Sequence, residues 1–361
     1  MDATAPVDSR DDAVADSLRR QAASCAHIGS PIYAHLLEGL CADYVAGGVS
    51  YGVLHGVTDQ PVHDAIGLRY LATAHRLALE GLAPELAAAF ESCGGAWSGA
   101  DLVPAFCRTV DANRDAFADG VRRNVQTNEV GRAAVLASGF SLISLRHHLP
   151  LAVFEVGSSA GLLSQWMHVR FDTGASATGP ADSPLRFDST WWRSPAPLLD
   201  QDLTVTAARA SDVTPIDVSD PAGRVQMMSF VWPDQGQRRE RLRAAIDVAR
   251  THPMHVEQAD AGQWIAGVLS DPLPEGVATV VFHSIVWQYL PATTRAILRD
   301  ALDSAGAGAT PTSPLLWLRM EPDTPERAAV RLTTWPGGND ELVAHVGYHG
   351  ADITWLAADP D

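Results

Sequence analysis

The chain has 361 residues, 46% hydrophobic and 19% charged, the balance of a folded protein long enough for two domains or one large elaborated one. A formal net charge of −17 argues against binding nucleic acid or an acidic membrane surface, since both need cationic surface. All 26 basic residues are arginine, and without lysine neither a P-loop nor a Schiff-base enzyme can be built.

The start, "MDATAPVDSRDDAVADSLRR", is acidic and polar, the opposite of a secretory leader. No apolar run approaches the roughly 18 residues of a membrane helix. Cys25, Cys41, Cys93 and Cys107 have no CxxC spacing, so reduced thiols and a cytoplasmic location are expected. The 13 histidines form no paired ligand spacing, and no metal site is expected.

Residues 1–147 read as a helical domain. "SPIYAHLLEGLCADYVAGG", "VHDAIGLRYLATAHRLALEGL" and "LVPAFCRTVDANRDAFADGVRRNV" carry apolar residues three and four apart, bounded by Gly, Pro or Ser. A dense polar group, Gln126, Thr127, Asn128, Glu129 and Arg132, opens the next apolar helix. Thr127 or Asn128 would cap it, and Asn128, Glu129 and Arg132 are candidates to face a cleft.

From 148 onward the pattern becomes α/β. Apolar runs at 151–156, 203–208, 254–258, 278–284 and 314–320 alternate with helical stretches, the mark of βαβ crossovers and a mostly parallel sheet. "RAAVRLTTW" and "LVAHVGYHGADITWLA", joined by "PGGND", add two or three strands, for about seven in all. Residues 172–202, rich in Gly, Pro, Ser and Asp and carrying Trp191 and Trp192, form an insertion. It either caps a site or covers the core. In "VWPDQGQRRERLRAAIDVAR", Asp234 and Gln237 suggest a capping box, and the arginines that follow suggest a solvated helix face.

In "LAVFEVGSSAGLL" a strand ends near Glu155, small residues turn the chain, and a helix is expected from about Ala160. Ligands of parallel α/β sheets bind beyond the carboxyl ends of the strands, where such turns lie. An acid followed by Gly157, Ser159 and Gly161 resembles motif I of the class I S-adenosylmethionine-dependent methyltransferases, E/D-x-G-x-G-x-G, with serine at the middle glycine. That resemblance implies a Rossmann-like sheet capped by the helical domain, S-adenosylmethionine as cofactor, and methyl transfer to an oxygen or nitrogen of a small-molecule substrate. By the same resemblance Glu155 lies near the cofactor's amino-acid portion, and Gly157, Ser159 and Gly161 form the loop beneath it. Asp212 after the second strand holds the ribose hydroxyls, with Asp172 as the alternative. Asp260 after the third strand meets the adenine, although it could equally cap the following helix. "ATVVFHSIVWQYLP" resembles the family's fourth-strand segment, which makes His283 a candidate general base and Trp287 a pocket wall.

The segments "RRNVQTNEVGRAAVLASGFSLI", "EVGSSAGL" and "VWPDQ...RRERL" also resemble an uncharacterised, mainly actinobacterial protein family. Two other functions remain open. "GSSAG" formally matches a nucleophile elbow, which would make Ser159 the nucleophile of an α/β-hydrolase with Asp323 and His349 as partners. A noncatalytic protein that binds the cofactor or a nucleoside is the other.

Overall fold

A computed structural model describes residues 9–193 and 195–358. The chain forms two compact units: one runs to Thr127 and includes Asp220–Glu240, and the other comprises Asn128–Ser219 and the chain from Arg241 onward.

The first unit contains α1 (Ser9–Ile28), α2 (Pro31–Val45), α3 (Val49–Leu54), α4 (Ile66–Leu79), α5 (Pro84–Ala87), α6 (Val103–Ala112) and α7 (Arg114–Gly120). Proline opens α2 and α5, where its missing N–H costs nothing. Leu18, Leu36, Leu40, Tyr70, Phe106 and Phe117 are fully buried. Tyr70 meets Phe106 and Phe117 edge-on, at ring distances of 4.9 and 5.4 Å.

The expected boundary at 147 is displaced in two ways. Helix α8 (Ala133–His147) belongs to the second unit, because every residue from Ala133 to Ser144 is buried and an all-round apolar helix needs cover on each side. Conversely α9 (Pro221–Ser229) and the turn after it complete the helical unit, where Trp232 joins the core. Asp234 is not part of a capping box. Its carboxylate accepts the Ser30 hydroxyl at 2.7 Å and the Ile32 N–H at 3.4 Å, capping α2 from a distance. Burial raises its pKa.

The second unit is α/β. Its strands are β1 (Leu151–Val156), β2 (Arg170–Asp172), β3 (Ala177–Thr178), β4 (Arg186–Phe187), β5 (Val205–Asp212), β6 (Val256–Gln258), β7 (Ala278–Ser284), β8 (Leu315–Pro322), β9 (Ala328–Trp335), β10 (Asn339–Val346) and β11 (Thr354–Trp355). Eight of them form one mostly parallel sheet in the order β11-β10-β9-β8-β7-β1-β5-β6. The pairs β1–β5, β1–β7, β5–β6 and β7–β8 are parallel, and β8 to β11 form an antiparallel meander. The short β11 supplies the strand beyond the expected seven. Helix α10 (Gly236–Thr251) spans the unit boundary, and α11 (Ala261–Val268) and α12 (Ala292–Ala307) lie between β6 and β8 in the chain.

Aligned residues on parallel strands share a sheet face. On one face α8 packs, with Phe140 edge-on to Phe282 at 5.1 Å. On the other, Phe154, Val156, Val281 and Trp317 pack with α11 and α12. Chain order reverses at β1, so the β1 and β7 carboxyl ends flank the crevice where such sheets bind ligands.

The helix expected from Ala160 is absent. Ser159 and Gly161 have φ of 55° and 70°, left-handed values that interrupt a right-handed helix, and only a 3₁₀ turn at Leu163–His168 follows. The β1-to-β5 connection is instead the insertion, with its own small sheet β3-β2-β4. Trp192 is buried and donates its ring N–H to the Ser138 hydroxyl at 3.0 Å, so this tryptophan covers the core. Trp191 packs edge-on to Phe187 at 4.6 Å and under the Arg241 guanidinium at 5.1 Å. The arginines of α10 are therefore not one solvated face: Arg238 is buried too, 5.8 Å above Trp232. Among the described residues no helix is long and apolar enough to cross a membrane.

Candidate functional site

The loop leaving β1 is held from three sides. Asp212, the last residue of β5, accepts the Ser159 N–H on Oδ2 at 2.8 Å and the Thr214 N–H on Oδ1 at 2.8 Å. The Asn128 side-chain amide donates to the Ser158 carbonyl and accepts the Leu162 N–H, both at 3.1 Å. Asn128 thus brackets the loop rather than capping α8, and its own φ of 40° turns the chain there. Backbone bonds from Ser158 N to Ser211 O (3.0 Å) and Ile216 N to Ser159 O (3.2 Å) complete the attachment to β5 and its following turn.

Both loop glycines sit at positive φ. A Cβ on Gly157 would lie 2.6 Å from a Val286 methyl, and one on Gly161 would lie 2.9 Å from Met254. Since Val286 follows β7, the small residue at 157 is what lets the turns after β1 and β7 meet.

Glu155 differs from expectation. It is 2% exposed and lies on the α8 face, where its carboxyl accepts the Ser164 hydroxyl of the 3₁₀ turn. Burial pushes its pKa up to about 8; the Ser164 hydrogen bonds oppose this and the nearby Asp212 charge adds to it. It therefore anchors the segment after the loop from inside the core.

The segment before α8 reaches both strand ends. Glu129, buried, accepts the Gly131 N–H at 3.3 Å and caps the 3₁₀ turn Val130–Arg132 that precedes α8, while α8 itself has no side-chain cap. Arg132 donates to the Ser284 carbonyl at the end of β7 (3.2 Å) and to the Tyr348 carbonyl (3.0 Å). Asn128 and Arg132 so flank the β1–β7 crevice.

His283 and Trp287 form a separate cluster on the opposite face from Glu155. The His283 ring is fully buried, with Nδ1 2.6 Å from Glu321 Oε1. The same oxygen accepts the N–H groups of Val286 and Trp287 at 3.0 and 3.2 Å. Trp287 stacks near His283 at 5.8 Å and carries the Arg299 guanidinium 4.7 Å above its ring. His283 Nε2 and Glu321 Oε2 are buried with no hydrogen-bond partner, the kind of orphaned pair that marks a water or ligand contact. Glu321 escaped the sequence reading; an acid closing the fifth apolar run, in "WLRMEP", was the available signal.

Asp260 caps α11, accepting the Gly262 and Gln263 N–H groups at 3.0 and 3.1 Å, and its other oxygen accepts the Thr294 hydroxyl at 2.6 Å. Asp172 accepts the Gly174 N–H at 2.8 Å within the insertion. Asp323, the acid of the hydrolase reading, pairs with Arg327 at 3.3 Å and with His345 at 3.7 Å. Among the described residues no cluster of three or more His, Cys, Asp or Glu could hold a metal ion.

The family described as uncharacterised proteins conserved in bacteria, DUF2332, matches residues 15–355, and the chain belongs to it. No curated protein and no solved structure matches the chain.

Proposed function

We propose that this member of an uncharacterised bacterial family binds S-adenosylmethionine at the β1–β7 crevice and transfers its methyl group to an oxygen or nitrogen of a small molecule. The observation that carries this reading is the bond from Ser159 N–H to Asp212. It joins a small-residue loop and an acid at the carboxyl ends of adjacent parallel strands, beside the point where strand order reverses. The side chains that hold the loop are the Asn128 amide and the Asp212 carboxylate, a set suited to a hydroxyl-bearing ligand rather than to a pyrophosphate. Asp212 would take the ribose hydroxyls, with Ser159 and Gly161 beneath the ligand, and Asp260 would stand toward the adenine.

When bound, the cofactor supplies an electrophilic methyl group on sulfur. The chain's part is to align the acceptor, exclude water and receive a proton. Glu321, taking the Nδ1 proton of His283 in a hydrogen bond, leaves Nε2 as the basic nitrogen.

One observation favours a second reading. The Ser159 φ of 55° is the left-handed turn on which a nucleophile elbow presents its serine. Calorimetric titration with S-adenosylmethionine and with its demethylated product separates the readings. Saturable binding that Asp212→Ala abolishes supports the proposal, and no heat from either compound overturns it. Labelling of Ser159 by a fluorophosphonate would establish the hydrolase, and binding without methyl transfer to any acceptor would establish a sensor.

A further inference from the structure

We infer that the helical unit carries an anion site, independent of the sheet, that takes the phosphate group of a small molecule. A cleft opens between α4, α9 and the turn after α7, and its walls include Arg69, Thr73, Arg76, Arg123, Gln226 and Ser229. Arg69, Thr73 and Arg76 stand four and three residues apart, so they share one face of α4. Two distant stretches of chain therefore bring three arginines to one hollow, and α9 closes it with Gln226 and Ser229.

The close approach of the α7 end depends on Gly120. A Cβ there would collide with the Thr73 hydroxyl, so a larger residue would push Arg123 away from α4. Arg69 is the fixed member. Its side chain is 12% exposed and is tied to the Val121 carbonyl at 3.5 Å, to Asn124 Oδ1 at 3.1 Å and to Asp64 at 3.7 Å. Arg76 and Arg123 are the adaptable members. Arg76 pairs with Glu80 and Arg123 with Asp119, each one turn away on its own segment.

Such i,i+4 pairs at partly exposed positions are weak, because solvent screens them and ordering two long side chains opposes them. A phosphate that accepts hydrogen bonds from two guanidinium forks at once makes stronger, charge-assisted contacts than either carboxylate does alone. The cleft polar groups Thr73, Gln226 and Ser229 add neutral partners for a protonated or esterified oxygen. In a chain of net charge −17, three arginines converging on one hollow make a local potential opposite to that of the whole molecule.

Calorimetric titration of the full chain with inorganic phosphate, at constant ionic strength, tests this. Saturable one-to-one binding is expected, with Kd on the order of 1 mM for the bare ion. The double substitution Arg76→Gln with Arg123→Gln should weaken it about tenfold or more. Arg108→Gln, which removes an arginine paired with Glu85 outside the cleft, should leave it unchanged. Absence of saturable binding overturns the inference, as does equal weakening by Arg108→Gln, which would reveal a general charge effect. Should the double variant lose its helical circular dichroism, Arg123→Gln alone is the test. That side chain is 55% exposed, and about threefold weakening is expected, with unchanged affinity counting against the site.

Discussion

The Asp212 carboxylate accepts the Ser159 backbone N–H at 2.8 Å, so the last residue of one parallel strand holds the loop that leaves its neighbour. A second N–H, from Thr214, binds its other oxygen, and the side chain is 8% exposed. Asp212→Ala would leave the buried Ser159 N–H without this acceptor and remove the partner of the more exposed Thr214 N–H. The expected cost is about 1–3 kcal/mol, with a smaller loss for Asp212→Asn, which keeps one acceptor. Urea denaturation of the three proteins measures the order, and equal midpoints would refute the anchoring role.

Gly157 is expected to tolerate no side chain. Its φ of 67° strains any L-residue, and a Cβ would press on Val286 at 2.6 Å. Gly157→Ala should cost about 1–3 kcal/mol. Val286→Ala on that background should restore part of the loss by removing the collision, while the backbone strain stays. A double-mutant cycle reads the coupling, and strict additivity would show that the two turns do not press on each other.

Glu155 sets a pH dependence of unusual sign. Its pKa rises from 4.5 to about 8 on folding, chiefly through burial, so between these values the folded chain holds a proton that the unfolded chain has released. The contribution is full below pH 4.5 and is lost as pH rises through 8, on the order of 1 kcal/mol per pH unit. Glu155→Gln, neutral at every pH, should flatten the slope between about pH 5 and 8 in urea denaturation of the full chain. A slope unchanged by the substitution would count against a buried, protonated carboxyl.

His75 acts in the opposite direction. It is fully buried, with Nδ1 3.1 Å from the Ser229 carbonyl and Nε2 2.7 Å from the Ser92 hydroxyl. Burial lowers its pKa from 6.5 to about 4, against the pull of the Ser229 carbonyl. The unfolded chain thus takes up a proton that the folded chain refuses. Stability is full above pH 6.5 and falls as pH drops toward 4. Amide hydrogen exchange separates the two effects by place: acidification should weaken protection of α4 amides, and His75→Gln should blunt that change.

Much of the sheet was legible because a strand buried on both faces must be a short apolar run. The runs at 151–156 and 278–284 coincide with β1 and β7, and those at 203–208, 254–258 and 314–320 overlap β5, β6 and β8. The helix after β1 was not legible. An apolar stretch such as "GLLSQWMHV" suits either helix type, and the left-handed turns at Ser159 and Gly161 arise from bonds to Asp212 and Asn128, far away in sequence. Asp234 shows the same limit, since its spacing to Gln237 fits a local cap while its carboxylate serves Ser30.

The sequence by itself determined the α/β class of the second half, the helical character of the first, and the place of the β1 loop, because periodicity and glycine placement are local properties. Only the tertiary structure decided which acids serve that loop and which serve elsewhere. It gave Asp212 to Ser159, turned Asp260 onto its own helix and Thr294, drew Glu155 into the core, and set the unforeseen Glu321 against His283. A carboxylate goes where buried donors need an acceptor, and those donors come from strands and turns that the fold, rather than the chain order, makes neighbours.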